Sequence, residues 1–263
     1  MKNLKEYIIE GIFDGEDNLD INNFRDQIIQ FLNDNYKFLH KFEISAKPNS
    51  AGKYEVSSKG DVVVKHNKII SLTNGNFIWT EVGLGFYCGS CNSLTSLEGA
   101  PEKVGGDFYC GDCNSLTSLE GAPKEVGGSF NCSYCNSLTS LKGAPKEVGE
   151  DFYCSGCNSL TSLEGAPKKV GGDFNCYDCD SLTSLKGAPK EVGRNFYCSG
   201  CNSLTSLEGA PKKVGRDFSC NNCGSLTSLE GAPREVGENF YCDKQFTKKD
   251  VKKVSNVKRE IYC

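Results

Sequence analysis

Phe86-Tyr87-Cys88-Gly89-Ser90-Cys91-Asn92-Ser93-Leu94-Thr95-Ser96-Leu97-Glu98-Gly99-Ala100-Pro101-Glu102-Lys103-Val104-Gly105-Gly106-Asp107 is the first copy of a 22-residue unit. The unit returns without insertion or deletion until Phe218–Asn239. Seven copies stand in register, and an eighth opens at Phe240-Tyr241-Cys242 before the pattern stops. Self-similarity at a fixed period of this length marks a solenoid, in which each unit forms one coil and touches only its neighbours. Equivalent positions then stack into columns. The Phe, both Leu and the Val of each copy supply the inward apolar set, while Gly-Ala-Pro and Val-Gly make the bends. The expected fold is mainly β: a β-solenoid of 22-residue rungs.

Composition agrees with a stack rather than a globule. Hydrophobic residues are 38% of the 263, and glycine is high at 29; a one-dimensional stack needs only a few apolar side chains per coil. The 30 basic and 34 acidic residues leave a net charge of −4, mixed along the chain. That balance carries no nucleic-acid footprint. No stretch approaches a membrane span, and Met1-Lys2-Asn3-Leu4-Lys5-Glu6-Tyr7 lacks the charged-then-apolar form of a secretory leader. The expectation is a cytoplasmic protein with neither nucleic acid nor membrane as partner.

Outward from the repeats, residues 1–60 read as a helical and β-hairpin region. Leu4, Tyr7, Ile8 and Ile12 fall at helical spacing, as do Ile21, Phe24, Ile28, Phe31 and Leu32, with a break at Asp14-Gly15. Tyr54-Glu55-Val56 and Val62-Val63-Val64 flank a turn at Ser57–Gly60. Residues 61–85 form a degenerate capping rung. Counting back 22 places Val64 at the Phe86 position, Leu72 at Leu94 and Val82 at Val104, with His66 and Ile69 at the cysteine positions. His66 reads as a capping residue. The repeats proper occupy 86–242. Residues 243–263 read as a cap helix: Thr247 is an N-cap with Asp250 three later, and Val251, Val254, Val257 and Ile261 close the open end.

The unit resembles a leucine-rich repeat of the short bacterial type, over Val64 to Cys242. Phe108-x-Cys110-x-x-Cys113 matches the Leu-x-Leu-x-x-Asn/Cys portion, and Leu116-x-x-Leu119 the apolar pair that follows, with one extra residue between. Similar Ser-Leu-Glu-Gly-Ala-Pro-Lys-Glu-Val-Gly repeats occur in bacteriophage and bacterial proteins. The resemblance implies a β-solenoid with both cysteines facing inward.

The chemistry lies in the 16 cysteines. In a reducing compartment this count points to metal or to core packing rather than to disulfides. Rungs about 4.8 Å apart bring two successive Cys-x-x-Cys pairs around one interior region, and four thiolates are the ligand set of zinc or of an iron–sulfur cluster. Sets of two rungs use every thiol: Cys88, Cys91, Cys110, Cys113; Cys132, Cys135, Cys154, Cys157; Cys176, Cys179, Cys198, Cys201; and Cys220, Cys223, Cys242, Cys263. A weak double period supports pairing of rungs. Tyr109, Tyr153, Tyr197 and Tyr241 precede the first cysteine in even rungs, against Tyr87, Asn131, Asn175 and Ser219 in odd ones, and Lys142 and Lys186 interrupt a glutamate column. Gene duplication of a two-rung unit explains the same alternation.

The expected activity is a row of about four 4Fe–4S clusters for electron transfer or storage, similar to a solenoidal polyferredoxin, with an unidentified electron donor and acceptor and no enzymatic turnover. A zinc-tetrathiolate solenoid and a metal-free protein-binding module are the alternatives. A zinc tetrahedron needs sulfurs about 3.8 Å apart, tighter than the rung spacing. The even-rung tyrosines read as a stacked ladder on the sheet. His40 and His66 are too few for a nucleophilic triad, and no phosphate loop occurs.

Overall fold

The computed structural model describes residues 19–38, 41–65 and 68–263, with the side chains of the first helix from Arg25 onward. The expected helix around Leu4–Ile12, together with His40 and His66, lies outside the described residues. Within them the chain is a β-solenoid of about nine turns. Two sheets, each of eleven strands among the described residues, run along opposite sides of the coil.

Each repeat contributes two strands of two residues, one at the Phe (Phe86–Tyr87 through Phe240–Tyr241) and one at the Val (Lys103–Val104 through Glu235–Val236). All pair in parallel with the equivalent residues one repeat away, Phe108 with Phe86 and Phe130, Val126 with Val104 and Val148. Rung-to-rung bonding extends beyond these strands. The N–H groups of Phe86, Cys88 and Ser90 donate to the carbonyls of Asp107, Tyr109 and Gly111, each at 2.8 Å. A backbone bonded to the coils on both sides has its polar groups satisfied without long strands.

Columns of identical side chains fill the interior. The phenylalanines from Phe86 to Phe240 are all buried, and the rings from Phe86 to Phe218 stack with centroids 5.1–5.7 Å apart. Each such pair adds about 1 kcal/mol beyond its burial. The Leu columns, Leu94 to Leu226 and Leu97 to Leu229, and the Val column are equally sealed. The turn glycines from Gly99 to Gly231 hold φ of 85–96°, which only glycine adopts freely. A second glycine column, Gly105, Gly127, Gly149, Gly171, Gly193, Gly215 and Gly237, exists for a different reason. A Cβ at any of them runs into the carbonyl oxygen of the glycine one coil earlier, or of Gly83 for Gly105.

The N-terminal cap departs from expectation in two ways. Strands β1 (Tyr36–Phe38), β2 (Phe42–Ile44), β3 (Tyr54–Ser58) and β4 (Val62–Val64) follow helix α1 (Leu19–Asn35). β3 and β4 do not pair as a hairpin. β3 joins one sheet, antiparallel to β2, and β4 joins the other, antiparallel to β1. The bend at Lys59–Gly60, after Ser57 and Ser58 of the expected turn have joined β3, carries the chain between sheets, because a coil must visit both sides. The capping rung is also out of step at its start: Val62, not Val64, stands opposite Phe86, whereas Val82 faces Val104 as expected. The chain from Val62 to Phe86 is thus two residues longer than a repeat. Buried Ile69 and Leu72 fill the interior there. Ile28 and Leu32 of α1 are buried, Phe31 packs on Phe77 at 5.8 Å, and the Tyr36 hydroxyl donates to the Leu72 carbonyl at 2.8 Å.

At the other end, helix α2 (Lys248–Val254) begins at Thr247. The Asp250 N–H donates to Thr247 Oγ1 at 3.3 Å, and the Thr247 N–H donates to Asp250 Oδ2 at 3.1 Å. Val251 and Ile261 are buried under the last coil. The tail is more than a helix, since Asn256–Val257 and Ile261–Tyr262 add one strand to each sheet.

The glycine column gives a direct test. Gly149→Ala forces a Cβ onto the Gly127 carbonyl and is expected to lower unfolding free energy by about 3 kcal/mol. Gly224→Ala, whose Cβ meets only Asn202 Oδ1 at 3.6 Å, stays within about 0.5 kcal/mol of the parent. Urea unfolding of the two variants measures the contrast.

Candidate functional site

Each Cys-x-x-Cys is a tight turn leaving the Phe strand. Its second intervening residue takes the left-handed conformation in every full repeat: Ser90, Asp112, Tyr134, Gly156, Asp178, Gly200 and Asn222, at φ of 55–73°. That turn reverses the chain over three residues and sends both sulfurs inward. Fourteen cysteines, Cys88 to Cys223, are free and buried, as expected from the repeat.

The sulfurs bond mainly to backbone. Second-column thiols reach back one coil. Cys113, Cys135, Cys157, Cys179, Cys201 and Cys223 donate to the carbonyls of Cys88, Cys110, Cys132, Cys154, Cys176 and Cys198 at 3.1–3.3 Å. First-column thiols reach forward, Cys132 to the Tyr153 carbonyl and Cys176 to the Tyr197 carbonyl at 3.3 Å, Cys198 to Ser219 and Cys220 to Tyr241 at 3.4 Å. Donation of this kind requires the S–H proton, so the columns are arranged for neutral thiols.

Burial works in the same direction. Desolvation pushes Cys88, Cys110, Cys154, Cys179, Cys198 and Cys220 well above the ordinary thiol range, helped by neighbouring sulfurs. Cys223, nearer the end, is pushed up to about 12 by the same desolvation. Three pairs of thiols also touch: Cys91 with Cys113, Cys132 with Cys157, and Cys176 with Cys201. Within the first two, the hydrogen bond accepted by Cys113 and by Cys157 pulls those groups down while the donor partner is pushed up. A fourth pair, Cys242 and Cys263, is a disulfide with Cα atoms 4.7 Å apart. The tail returns Cys263 to Cys242, as the two-rung count requires, but the sulfurs bond to each other.

Each of these four contacts falls inside one of the two-rung sets derived from the sequence. The sets do not close into cages, however. Among the described residues no group of three or more Cys, His, Asp or Glu side chains converges as a metal site. The donor chemistry suits a soft metal; the placement, with sulfurs turned to carbonyls, does not.

The double period has explanations on the surface. Glu120 pairs with Lys142 at 2.9 Å and Glu164 with Lys186 at 3.0 Å, so alternation of sign at this column makes cross-rung ion pairs. Those pairs bridge between the thiol sets rather than within them. The Tyr109 ring lies over Gly89 and Gly111, where a Cβ would strike it, so one bulky residue is matched by small ones beside it. The even-rung tyrosines form no stacked ladder among the described residues. Asn131, Asn175 and Ser219 separate them, and Tyr241 stacks instead on Tyr262 at 5.0 Å.

Two outward features were missed in the reading of single repeats. Asn114, Asn136 and Asn158 each donate an amide hydrogen to the Asn Oδ1 one coil earlier, at 3.0–3.3 Å. The residue after Pro is basic in six successive coils, Lys124, Lys146, Lys168, Lys190, Lys212 and Arg234, all exposed. Reading the sequence down a column, 22 residues at a step, reveals both.

Comparison of the chain with known protein families, with curated proteins and with solved structures finds no match. The resemblance to bacteriophage and bacterial repeats therefore gains no support from these comparisons.

The thiol columns predict alkaline lability. A folded thiol held neutral keeps its full contribution below the unfolded value of about 8.5, and loses it as pH climbs from there toward the folded value. Each such thiol contributes about 1.4 kcal/mol of lost stability per pH unit above that point. Urea midpoints of the protein as purified, measured from pH 7 to 10 with reductant present, are expected to fall steeply past pH 8.5. Metal-bound thiolates give the opposite slope through pH 6–8, because protons are released on binding.

Proposed function

We propose that the chain is a non-catalytic interaction scaffold, a rigid solenoid that offers its outer columns to a partner and packs its thiols as core. The observation that carries this reading is the state of the sulfurs. The groups with nucleophilic or ligand chemistry are buried, and most are turned to backbone carbonyls. What the repeat presents to solvent is charge and amide at a fixed pitch. In a leucine-rich repeat the second cysteine position accepts asparagine; here the thiol makes the same backbone bond with less polar cost.

One observation favours a second reading, the row of iron–sulfur clusters. Sulfur contacts occur at alternate steps, Cys91–Cys113, Cys132–Cys157, Cys176–Cys201 and Cys242–Cys263, matching four two-rung sets. For these sets to hold clusters, the thiols would have to leave their carbonyls and the disulfide would have to open. Bound clusters would supply one-electron redox chemistry, and a zinc centre a purely structural tie.

Anaerobic purification separates the readings. The scaffold is expected colourless, with iron, sulfide and zinc all well below one per chain. A brown protein with iron and sulfide near four clusters per chain would establish the array, and stoichiometric zinc without colour the tetrathiolate solenoid.

A further inference from the structure

The basic column has an unusual charge arrangement. Lys124 is paired with Glu102 at 2.7 Å. For Lys146, Lys168, Lys190, Lys212 and Arg234, no carboxylate lies within 4 Å among the described residues. Backbone bonds hold the file in register: the Lys168 N–H donates to the Lys146 carbonyl, Lys212 to Lys190 and Arg234 to Lys212, at 2.7–3.0 Å. With coils about 4.8 Å apart, the step from Lys146 to Arg234 covers about 19 Å.

Such a file is unfavourable for the free protein. Like charges stacked one coil apart repel each other and destabilise the pair. Elsewhere like neighbours such as Glu125 and Glu147 or Glu208 and Glu230 run no further than two coils, and opposite signs meet at Lys142 beside Glu120 and at Lys103 between Glu81 and Glu125. A column kept at one sign through five unpaired residues points to a ligand that supplies the missing charge.

The neighbouring surface narrows the ligand class. The next column is mixed: Lys103, Glu125, Glu147, Lys169, Glu191, Lys213 and Glu235. A uniform polyanion lying along the basic file would meet four of these glutamates. Beside the N-terminal part of both columns, from Lys103 to Gly171, lies a groove of about 770 Å³ floored by the backbone of Gly105, Gly127, Gly149 and Gly171, with Lys124 and Lys146 of the basic file on its rim. That floor is flat and has no aromatic ring, so single-stranded nucleic acid lacks its stacking surface. An extended polypeptide fits better. It carries both signs, lays apolar stems on the floor, and places same-side carboxylates about 6.8 Å apart, a spacing that flexible lysine stems absorb.

We infer that the face formed by Lys146, Lys168, Lys190, Lys212 and Arg234 binds an extended acidic polypeptide segment along the solenoid axis. This rests on the scaffold reading and names its partner class.

The test uses the full chain and a fluorescent, net-acidic twelve-residue peptide alternating Glu with Val, Ser or Lys. Binding is expected to weaken with salt. The triple reversal Lys146→Glu, Lys168→Glu, Lys190→Glu is expected to cut affinity by about tenfold or more. Reversal of Lys244, Lys249 and Lys252, equally exposed but off the face, is expected to leave affinity within about twofold, and circular dichroism confirms that both variants fold. Equal losses in the two triples overturn the assignment of this face. Tighter binding of inorganic polyphosphate or an oligonucleotide than of the peptide, at equal charge and salt, overturns the partner class. Metal and sulfide analysis of the same preparation isolates the scaffold reading. Metal-free protein without peptide binding sinks the partner alone, whereas a cluster-loaded protein that still binds through the lysines sinks the scaffold assignment and keeps the face.

Discussion

Close stacking of one coil on the next is the constraint from which the rest follows. Neighbouring backbones sit at strand spacing and donate into one another along much of each coil, from the Phe strand through the Cys-x-x-Cys turn to Val-Gly. At that distance no side chain fits between the exposed glycines of the Gly105-to-Gly237 column. Once the spacing is set there, every other position inherits it. Phenylalanine rings stack because their Cα atoms are a strand apart, not because each ring selects its partner. A solenoid therefore has few independent energetic decisions, and each is repeated seven times.

The same spacing governs the sulfurs. Successive thiols of one column are a rung apart, and the sulfur contacts join one rung to the next, along a column at Cys91–Cys113 and across the columns at Cys132–Cys157. Meanwhile a carbonyl lies within 3.1–3.4 Å of most thiols, already fixed by the ladder. A buried S–H finds a local acceptor at no conformational cost, and desolvation then keeps the proton in place. Packing and protonation support each other, so the columns are self-consistent without any added group.

The architecture was legible because its signal is redundant. Seven in-register copies fix the period, the inward set and both bends, and the capping box at Thr247 and Asp250 fixes the final helix. What was not legible involves places where the period fails or where two coils must be read together. The strand at Val62–Val64 lacks the Cys-x-x-Cys turn that pins register, so counting by 22 misplaced it by two residues. Tyr54–Ser58 and Val62–Val64 carry ordinary hairpin signals, and only the need to serve two sheets separates them. The thiols face inward as the repeat implies, and single sulfur contacts fall within the two-rung sets without closing them into the expected cages. Their carbonyl partners were invisible, because those belong to the backbone of another coil and no residue type encodes them.

Variation among the outer columns is where function is written in a fold of this kind. Interior positions are invariant because a single change leaves a void or a clash at one rung. Outer positions have no such restraint, so drift should mix their signs, as it does in the column from Lys103 to Glu235. In another column opposite signs form cross-rung pairs, as at Glu120 and Lys142, beside short like runs such as Glu208 and Glu230. The column from Lys124 to Arg234 follows neither pattern. It even exchanges lysine for arginine at its last step, retaining charge while changing shape. Uniform charge that tolerates a change of side chain is what an electrostatic contact asks for, since long flexible cations need only the right sign at the right pitch.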